Sequence, residues 1–146
     1  MKSTNLAYWI GVVQTDGSFV RRKRKKNKTY DSIELGVGYP SLEMLKKFRN
    51  LSQRVFGVKG HSWQSKKKRS QTYGFGAKAL IPLFNQLEIE FSDPPKPPKW
   101  IVDNNEFFGA YLAGVIDGDG SVVVKRQQYP QCLIRICSGS KAQKLQ

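Results

Sequence analysis

The sequence predicts an α+β fold of two related units, each of αββαββα order, packed about a pseudo-two-fold axis. Three observations lead to this prediction: a twelve-residue motif occurs twice, helical and strand-like periodicities alternate between the copies, and a proline-rich segment precedes the second copy. With 39% apolar residues in 146, the chain can bury a core.

The repeated motif reads AYWIGVVQTDGS at residues 7–18 and AYLAGVIDGDGS at residues 110–121. The copies are separated by a constant offset of 103 and agree at seven of twelve positions. Each begins with an apolar run and ends in Asp-Gly-Ser, which predicts a helix that stops at Gly17 or Gly120.

Small residues recur at four-residue spacing in both copies. They are Ala7, Gly11 and Thr15 in the first and Ala110, Gly114 and Gly118 in the second. Four residues make about one helical turn, so each set forms one stripe, and small stripes let two helix backbones approach closely. We therefore expect the motif helices to pack together through Ala7, Gly11, Ala110 and Gly114, with Asp16 and Asp119 side by side at their ends.

The segments after the first motif complete a unit of αββαββα order. Its strands are predicted at 18–26, 29–39, 58–64 and 71–76, and its further helices at 41–57 and 77–87. This gives a first unit at 1–91, a Pro/Lys-rich linker at 92–104 and a second unit at 105–146. The second unit has only two further strands, at 122–128 and 131–138, so it is predicted to be truncated.

The chain carries 25 Lys and Arg against 11 acids, a formal net charge of +14. Such an excess favours a polyanionic partner, with nucleic acid first and an anionic membrane surface second; the alternative is a solvated basic protein. The short apolar run after Lys2 lacks a signal-peptide cleavage site, and no run reaches membrane-spanning length. We expect a soluble, intracellular protein that does not enter membranes.

The cations concentrate on the predicted strand hairpins, where alternate side chains share a face. The candidate nucleic-acid contacts are Arg21, Arg22, Arg24, Lys26, Lys28, His61, Gln64, Lys66, Lys68, Arg69, Lys125 and Arg126. Arg22, Arg24 and Gln64 are the candidates for base edges, because Arg reads guanine and Gln reads adenine. For any single residue, a solvated hairpin tip is the competing interpretation.

The two motif aspartates have a chemistry of their own. Carboxylates placed close together repel, and a cation between them relieves the repulsion. Mg²⁺ suits an all-oxygen site that keeps water, and there it can activate water and stabilise the charge that phosphodiester cleavage develops. No Ser-His-Asp arrangement competes, since the chain has one histidine, His61.

Residues 112–120, LAGVIDGDG, match the motif LAGLIDADG at seven of nine positions, and residues 9–17, WIGVVQTDG, retain its Gly, Asp and Gly. The chain thus resembles the LAGLIDADG homing endonucleases. The resemblance implies an intron-encoded monomer whose saddle of antiparallel strands lies in the DNA major groove. It also implies that the eighth motif residues, Asp16 and Asp119, bind divalent metal and cut both strands of a long, asymmetric site.

The same resemblance implies a lysine near the metals, for which Lys96 or Lys99 in the linker is the candidate. It implies Mg²⁺ as cofactor, or Mn²⁺, with Ca²⁺ as a non-cleaving form. At the sixth motif position the copies differ, with Gln14 in one and Asp117 in the other. Two alternatives stay open: a maturase that binds intron RNA, and a DNA-binding protein of the same fold that does not cut.

Overall fold

The computed structural model describes residues 1–23, 28–65, 69–91, 94–126, 128–129 and 131–136. Its elements are, in order, α1 (Thr4–Thr15), β1 (Gly17–Lys23), β2 (Thr29–Gly38), α2 (Leu42–Phe56), β3 (His61–Ser65), β4 (Ser70–Gly76), α3 (Ile81–Gln86), α4 (Lys99–Val102), α5 (Asn105–Asp119), β5 (Gly120–Lys125) and β6 (Gln131–Ile136). The α+β class and the αββαββα order of the first unit are confirmed.

The first unit contains a four-stranded antiparallel sheet in the order β1-β2-β4-β3. Phe19, Ile33 and Phe75 lie opposite one another on its inner face, which is buried against α2 and α3. Because strand side chains alternate, every second residue of these strands lies on the other face. This outer face includes Ser18, Val20, Arg22, Tyr30, Ser32, Glu34, Gly36, Gly38, His61, Trp63, Ser70, Thr72, Gly74 and Gly76.

Helix α1 lies at the centre of the core. Ser3 caps its first turn by accepting a hydrogen bond from the amide of Leu6 at 3.2 Å. Trp9 is fully buried, and its ring packs against the rings of Phe48, Phe56 and Phe84. Its indole N–H donates to the Ser52 hydroxyl at 2.9 Å, so burial leaves no unpaired donor.

The two motif helices, α1 and α5, pack against each other along their glycines, as the stripes of small residues predict. A Cβ atom on Gly11 would overlap the Tyr111 carbonyl oxygen, and one on Gly114 would overlap the carbonyl oxygen of Tyr8. A Cβ on Gly118 would overlap the Thr15 hydroxyl. Ala7 is fully buried and Ala110 half-buried beside this contact, which we call the helix seam.

The second unit follows the seam with one hairpin, β5-β6. Aligned at the shared Gly of each Asp-Gly pair, Ile134 of this hairpin corresponds to Ile33 of the first sheet. Ile33 is fully buried, whereas Ile134 is 58% exposed and Val122 opposite it is 57% exposed. No described residue covers this apolar face in the way that α2 and α3 cover the first sheet.

Several elements differ from the sequence prediction. The strand expected at 58–64 begins at His61, and the strand expected at 122–128 is β5, Gly120–Lys125. The helix expected at 77–87 opens as a 3-10 turn, Lys78–Leu80, and becomes α-helical at Ile81, because Pro82 is tolerated only in the first turn of a helix. The predicted linker contains a short helix, α4, that the sequence did not predict. The predicted end of α2 at Gly57 is confirmed, and this glycine has a left-handed conformation with φ of 66°.

The seam predicts that Gly11→Ala and Gly114→Ala each destabilise the protein by about 1–3 kcal/mol, the usual cost of forcing an extra methyl into a packed contact. The cost arises because the added methyl meets backbone that cannot rotate away. Chemical denaturation followed by circular dichroism measures the change.

Gly109→Ala is the matched control, because a Cβ at this helical glycine meets nothing within 4 Å. It should leave stability unchanged or raise it by up to about 1 kcal/mol through better helix propensity. Equal effects at Gly109 and Gly114 would contradict the close seam.

Candidate metal centre and nucleic-acid interface

Asp16 and Asp119 lie where the two seam helices end and the hairpins begin. Asp16 caps α1, with its amide donating to the Val12 carbonyl at 3.0 Å, and Asp119 is the last residue of α5. A Cβ on the glycine after either aspartate would come within 3 Å of the preceding helical turn. Close packing, and not a positive φ, therefore requires the glycine that follows each aspartate.

The seam brings the aspartates together because Gly118, the neighbour of Asp119, packs on Thr15 and lies near the Asp16 amide. The pKa of Asp16 is raised from its ordinary value by partial burial and, secondly, by the charge of Asp119. The carboxylates are therefore electrostatically coupled. Among the residues that the structure describes, no salt bridge neutralises either of them.

Reciprocal hydrogen bonds cross the seam beside the aspartates. The Tyr8 hydroxyl donates to Asp117 Oδ2 at 2.5 Å, and the Tyr111 hydroxyl donates to Gln14 Oε1 at 2.9 Å. Tyr8 and Tyr111 are equivalent in the repeat, and so are the sixth-position residues Gln14 and Asp117. Each tyrosine therefore holds the sixth residue of the other copy.

The surroundings of the two bonds differ. Lys47 Nζ lies 3.7 Å from the centre of the Tyr8 ring and 3.5 Å from Asp117 Oδ2, which gives that side an ion pair and a cation–π contact. Burial and the Asp117 contact raise the pKa of Tyr8, and burial raises the pKa of Tyr111 to about 12. Both phenols therefore stay protonated as donors at neutral pH.

Gln14 also fixes the linker. Its Nε2 donates to the carbonyl oxygens of Glu90 at 2.7 Å and Lys96 at 2.9 Å. The main chain of Lys96 is thus held at the end of α1, but its side chain is 73% exposed and its Nζ lies 3.9 Å from Glu90 Oε2. Within the described chain, no ion pair joins Lys96 to either motif aspartate.

The site suits a hard divalent cation that takes its remaining ligands from outside the protein. Two coupled carboxylates without a neutralising partner attract such a cation. Within the described residues, no group of three His, Cys, Asp or Glu could hold a metal by itself. Magnesium typically binds in this way, through one or two carboxylates together with water and substrate phosphate oxygens.

The predicted nucleic-acid contacts divide between two faces of the sheet. Arg22 and His61 lie on the outer face, whereas Arg21 and Gln64 lie on the inner face. Gln64 donates to the hydroxyl of Tyr39, and Arg21 pairs with Asp31 at 2.7 Å. The sheet register therefore separates neighbours such as Arg21 and Arg22 that the sequence clusters together.

The remaining predicted contacts lie near the ends of the hairpins. Lys28, Arg69, Lys125 and Arg126 are exposed there, and Arg69 has a positive φ of 44° in the turn between β3 and β4. Arg24, Lys26, Lys66 and Lys68 lie outside the described residues.

Arg22 pairs with a residue that the sequence prediction missed, Glu34. Both nitrogens of its guanidinium fork donate to the two Glu34 carboxylate oxygens, Nη2 to Oε2 at 2.9 Å. The Ser32 hydroxyl adds a donor to Oε1 at 2.8 Å. The alternation Ser-Ile-Glu-Leu could have placed Glu34 on the face away from the buried Ile33 and Leu35. The pairing of β1 with β2 puts Arg22 on that same face.

The tyrosines of the seam were also missed, although the repeat carried the signal. Tyr8 and Tyr111 occupy the second position of both motif copies. An identical residue whose side chain can cross between paired helices is a candidate for a reciprocal contact.

Comparison with solved structures identifies the fold. A mesophilic-variant structure of the homing endonuclease I-DmoI superposes with a TM-score of 0.60 at 16% identity, covering 81% of this chain and 62% of that chain. I-DmoI bound to DNA and calcium gives a TM-score of 0.59 at 15% identity, covering 86% of this chain and 65% of that chain. A mutant of I-SmaMI gives a TM-score of 0.52 at 16% identity, covering 92% of this chain and 65% of that chain. The chain has the LAGLIDADG homing endonuclease fold.

The chain spans less than two thirds of the length of these I-DmoI chains. No protein-family profile and no curated protein sequence matches the chain. In the described residues, no helix combines the length and apolar character needed to cross a membrane.

The coupling of the two carboxylates predicts that Asp119→Asn lowers the pKa of Asp16, without restoring its ordinary value because partial burial remains. An acid whose pKa is raised by folding destabilises the fold once ionised, so stability falls as pH rises through that pKa. The Asp119→Asn variant should therefore unfold at a higher temperature than the parent near neutral pH. The difference between the two unfolding temperatures should become smaller as the pH is lowered.

Carboxyl ¹³C NMR titration of Asp16 measures the shift directly. Asp103→Asn, beyond the opposite end of α5, is the control and should leave the Asp16 titration unchanged. An Asp16 pKa unaffected by Asp119→Asn would show that the carboxylates are too distant to share a cation.

Proposed function

We propose that this protein is a site-specific double-strand DNA endonuclease that acts as a monomer with a divalent metal, most naturally Mg²⁺. The observation that carries the proposal is the pair of coupled motif aspartates, held together by a seam formed within one chain. The metal, when bound, would activate water and stabilise the charge on the scissile phosphates.

The chain's own residues have separate tasks in this proposal. Asp16 and Asp119 hold the cation, one from each motif copy. Tyr8 and Tyr111 fix the spacing of the helices that carry them. The backbone carbonyl of Lys96 joins the linker to Gln14, and its exposed side chain, with Nζ 3.9 Å from Glu90 Oε2, is the candidate for the lysine near the metals.

The hairpins supply the DNA-binding surface. The outer face of the first sheet and the hairpin β5-β6 begin directly after the two aspartates, so DNA lying along them would pass the carboxylates. Phosphate contacts by Lys28, Arg69, Lys125 and Arg126 would position the duplex, while outer-face side chains would meet base edges.

The fold neighbours support this assignment. Structures of I-DmoI have been solved in complex with DNA and calcium, with DNA and manganese, and, for one variant, with its target DNA and magnesium. Our proposal assigns the same classes of partner and metal to this chain.

The decisive experiment incubates the protein with a randomised duplex library, with Mg²⁺ and with EDTA, and sequences the ends produced. Metal-dependent cuts at one long site support an endonuclease and reveal its target. Binding without cuts in either condition favours the non-cutting DNA-binding alternative, and weak duplex binding with tight binding to intron RNA favours the maturase.

Asp16→Asn and Asp119→Asn should each abolish double-strand cleavage while leaving DNA affinity within a few-fold of the parent. The amide keeps the size of the carboxylate but loses the negative charge that attracts the cation. Cleavage of a plasmid carrying the selected site, with binding measured separately, tests both effects.

Asp117→Asn is the matched control, because it removes a nearby carboxylate at the sixth motif position and leaves an oxygen to accept from Tyr8. The other copy already carries an amide at this position, Gln14. Cleavage should persist in Asp117→Asn, and a fully active Asp16→Asn would disprove the shared site.

DNA affinity should fall steeply with salt. If roughly eight phosphates are neutralised, the log–log slope of affinity against salt is about −7, and removing Lys125 and Arg126 together makes it less steep by about 2. Titrations of a fluorescent duplex between low and moderate salt measure the slope.

The control is Lys46→Ala, because Lys46 pairs with Glu43 on α2, the helix that covers the inner face. It should leave the slope unchanged. A slope near zero for the parent protein would contradict binding along the basic hairpins.

A further inference from the structure

Glu34 is an acidic residue on the outer face of the first sheet, the surface to which the proposed function assigns DNA. Glu34 is largely buried in the centre of that face, in a chain whose net charge is +14. A lone carboxylate there would repel phosphate. Its charge is instead matched by Arg22, whose fork meets both carboxylate oxygens, and by the hydroxyl of Ser32.

The pair lies beside a shallow cup of about 320 Å³ on the outer face, whose lining includes Arg22, Tyr30, Glu34, His61 and Trp63. The floor of the cup is Gly74, where a Cβ would come within 2.9 Å of both Glu34 and the Trp63 ring. The glycine therefore lets the carboxylate and the indole lie side by side at the level of the sheet.

Arg22 keeps donors available after pairing with Glu34. A guanidinium has five N–H donors and the carboxylate takes two of them, so three remain. The Arg22 side chain is 52% exposed, whereas that of Glu34 is 11% exposed. The carboxylate is the buried support, and the guanidinium faces outward from it.

We propose that Glu34 is a positioning residue that holds the Arg22 guanidinium in one orientation, so that Arg22 reads a guanine in the major groove. Two donors of an arginine match guanine O6 and N7, and this match depends on how the plane of the guanidinium is held. The inference rests on the proposed function, because it assigns base recognition to the outer face.

In the described part of the second unit, β5-β6, no acid occupies the position equivalent to Glu34. By register, Glu34 lies opposite Ser18, and the residue opposite the equivalent Ser121 is Arg135. An arginine thus occupies in the second hairpin the place of the buttressing acid in the first. The guanine contact belongs to one half of an asymmetric target.

The chain provides its own control in Arg21 and Asp31. They form the same two-bond pair, with Nε donating to Oδ1 at 2.7 Å and Nη2 to Oδ2 at 3.2 Å, but on the inner face. A substitution in the Arg21–Asp31 pair removes an Arg–carboxylate pair from the same sheet without changing the outer face. It therefore measures the structural effect of losing such a pair.

The experiment selects bound duplexes from a randomised library, with Ca²⁺ in place of Mg²⁺, for the parent, Arg22→Lys, Glu34→Gln and Asp31→Asn. We expect Arg22→Lys to lose a preference for guanine at one position, by about 5- to 100-fold. Glu34→Gln should weaken the preference at that same position, and Asp31→Asn should change no position.

An unchanged guanine preference in Glu34→Gln, or an even loss at all positions, would overturn the proposal, because a merely structural role does not select one base. If Glu34→Gln fails to fold, Glu34→Asp, which keeps the charge but shortens the reach, takes its place with the same expectation. A parent protein that selects no sequence would instead contradict the proposed function.

Discussion

The arrangement of this molecule depends on the contact between two helix backbones at Gly11 and Gly114. That approach is possible only without Cβ atoms, and it brings the final turns of α1 and α5 together. Everything proposed for the site follows from it, because each helix ends in an aspartate and the next residue opens a hairpin. Packing thus places the two coupled carboxylates next to each other. The buried core around Trp9 holds α1 in position despite the repulsion between the two charges.

Much of this could be predicted from the sequence, because the informative signals were local or repeated. The Asp-Gly-Ser ends, the small-residue stripes and the strand alternation indicated the helix pair and the αββαββα order of the first unit. What sequence could not provide was register between strands. The choice of face for Arg21 and Arg22 depends on which residues of β2 lie opposite them, and this is set by the pairing Gly17 with Leu35.

Long-range partners escaped prediction for a similar reason. Glu34 is separated from Arg22 by twelve residues, and Gln14 is 82 residues from the Lys96 carbonyl that it binds. The family resemblance suggested a lysine of the linker as an accessory group, but the sequence could not predict that Lys96 Nζ lies 3.9 Å from Glu90 Oε2. The charge runs predicted which hairpins are basic, whereas the ion pairs that Arg21 and Arg22 form with acids of β2 could not be predicted from those runs.

The unequal bonds across the seam bear on how such proteins can be recombined. Tyr8 meets Asp117, which also faces Lys47, whereas Tyr111 meets Gln14, which also binds the linker. Two copies of the first unit brought together would set each Lys47 against a glutamine and leave its charge without a partner. The halves have become complementary, so a chimaera made by exchanging one of them inherits a mismatch unless residues 8, 14, 47, 111 and 117 are exchanged as a set.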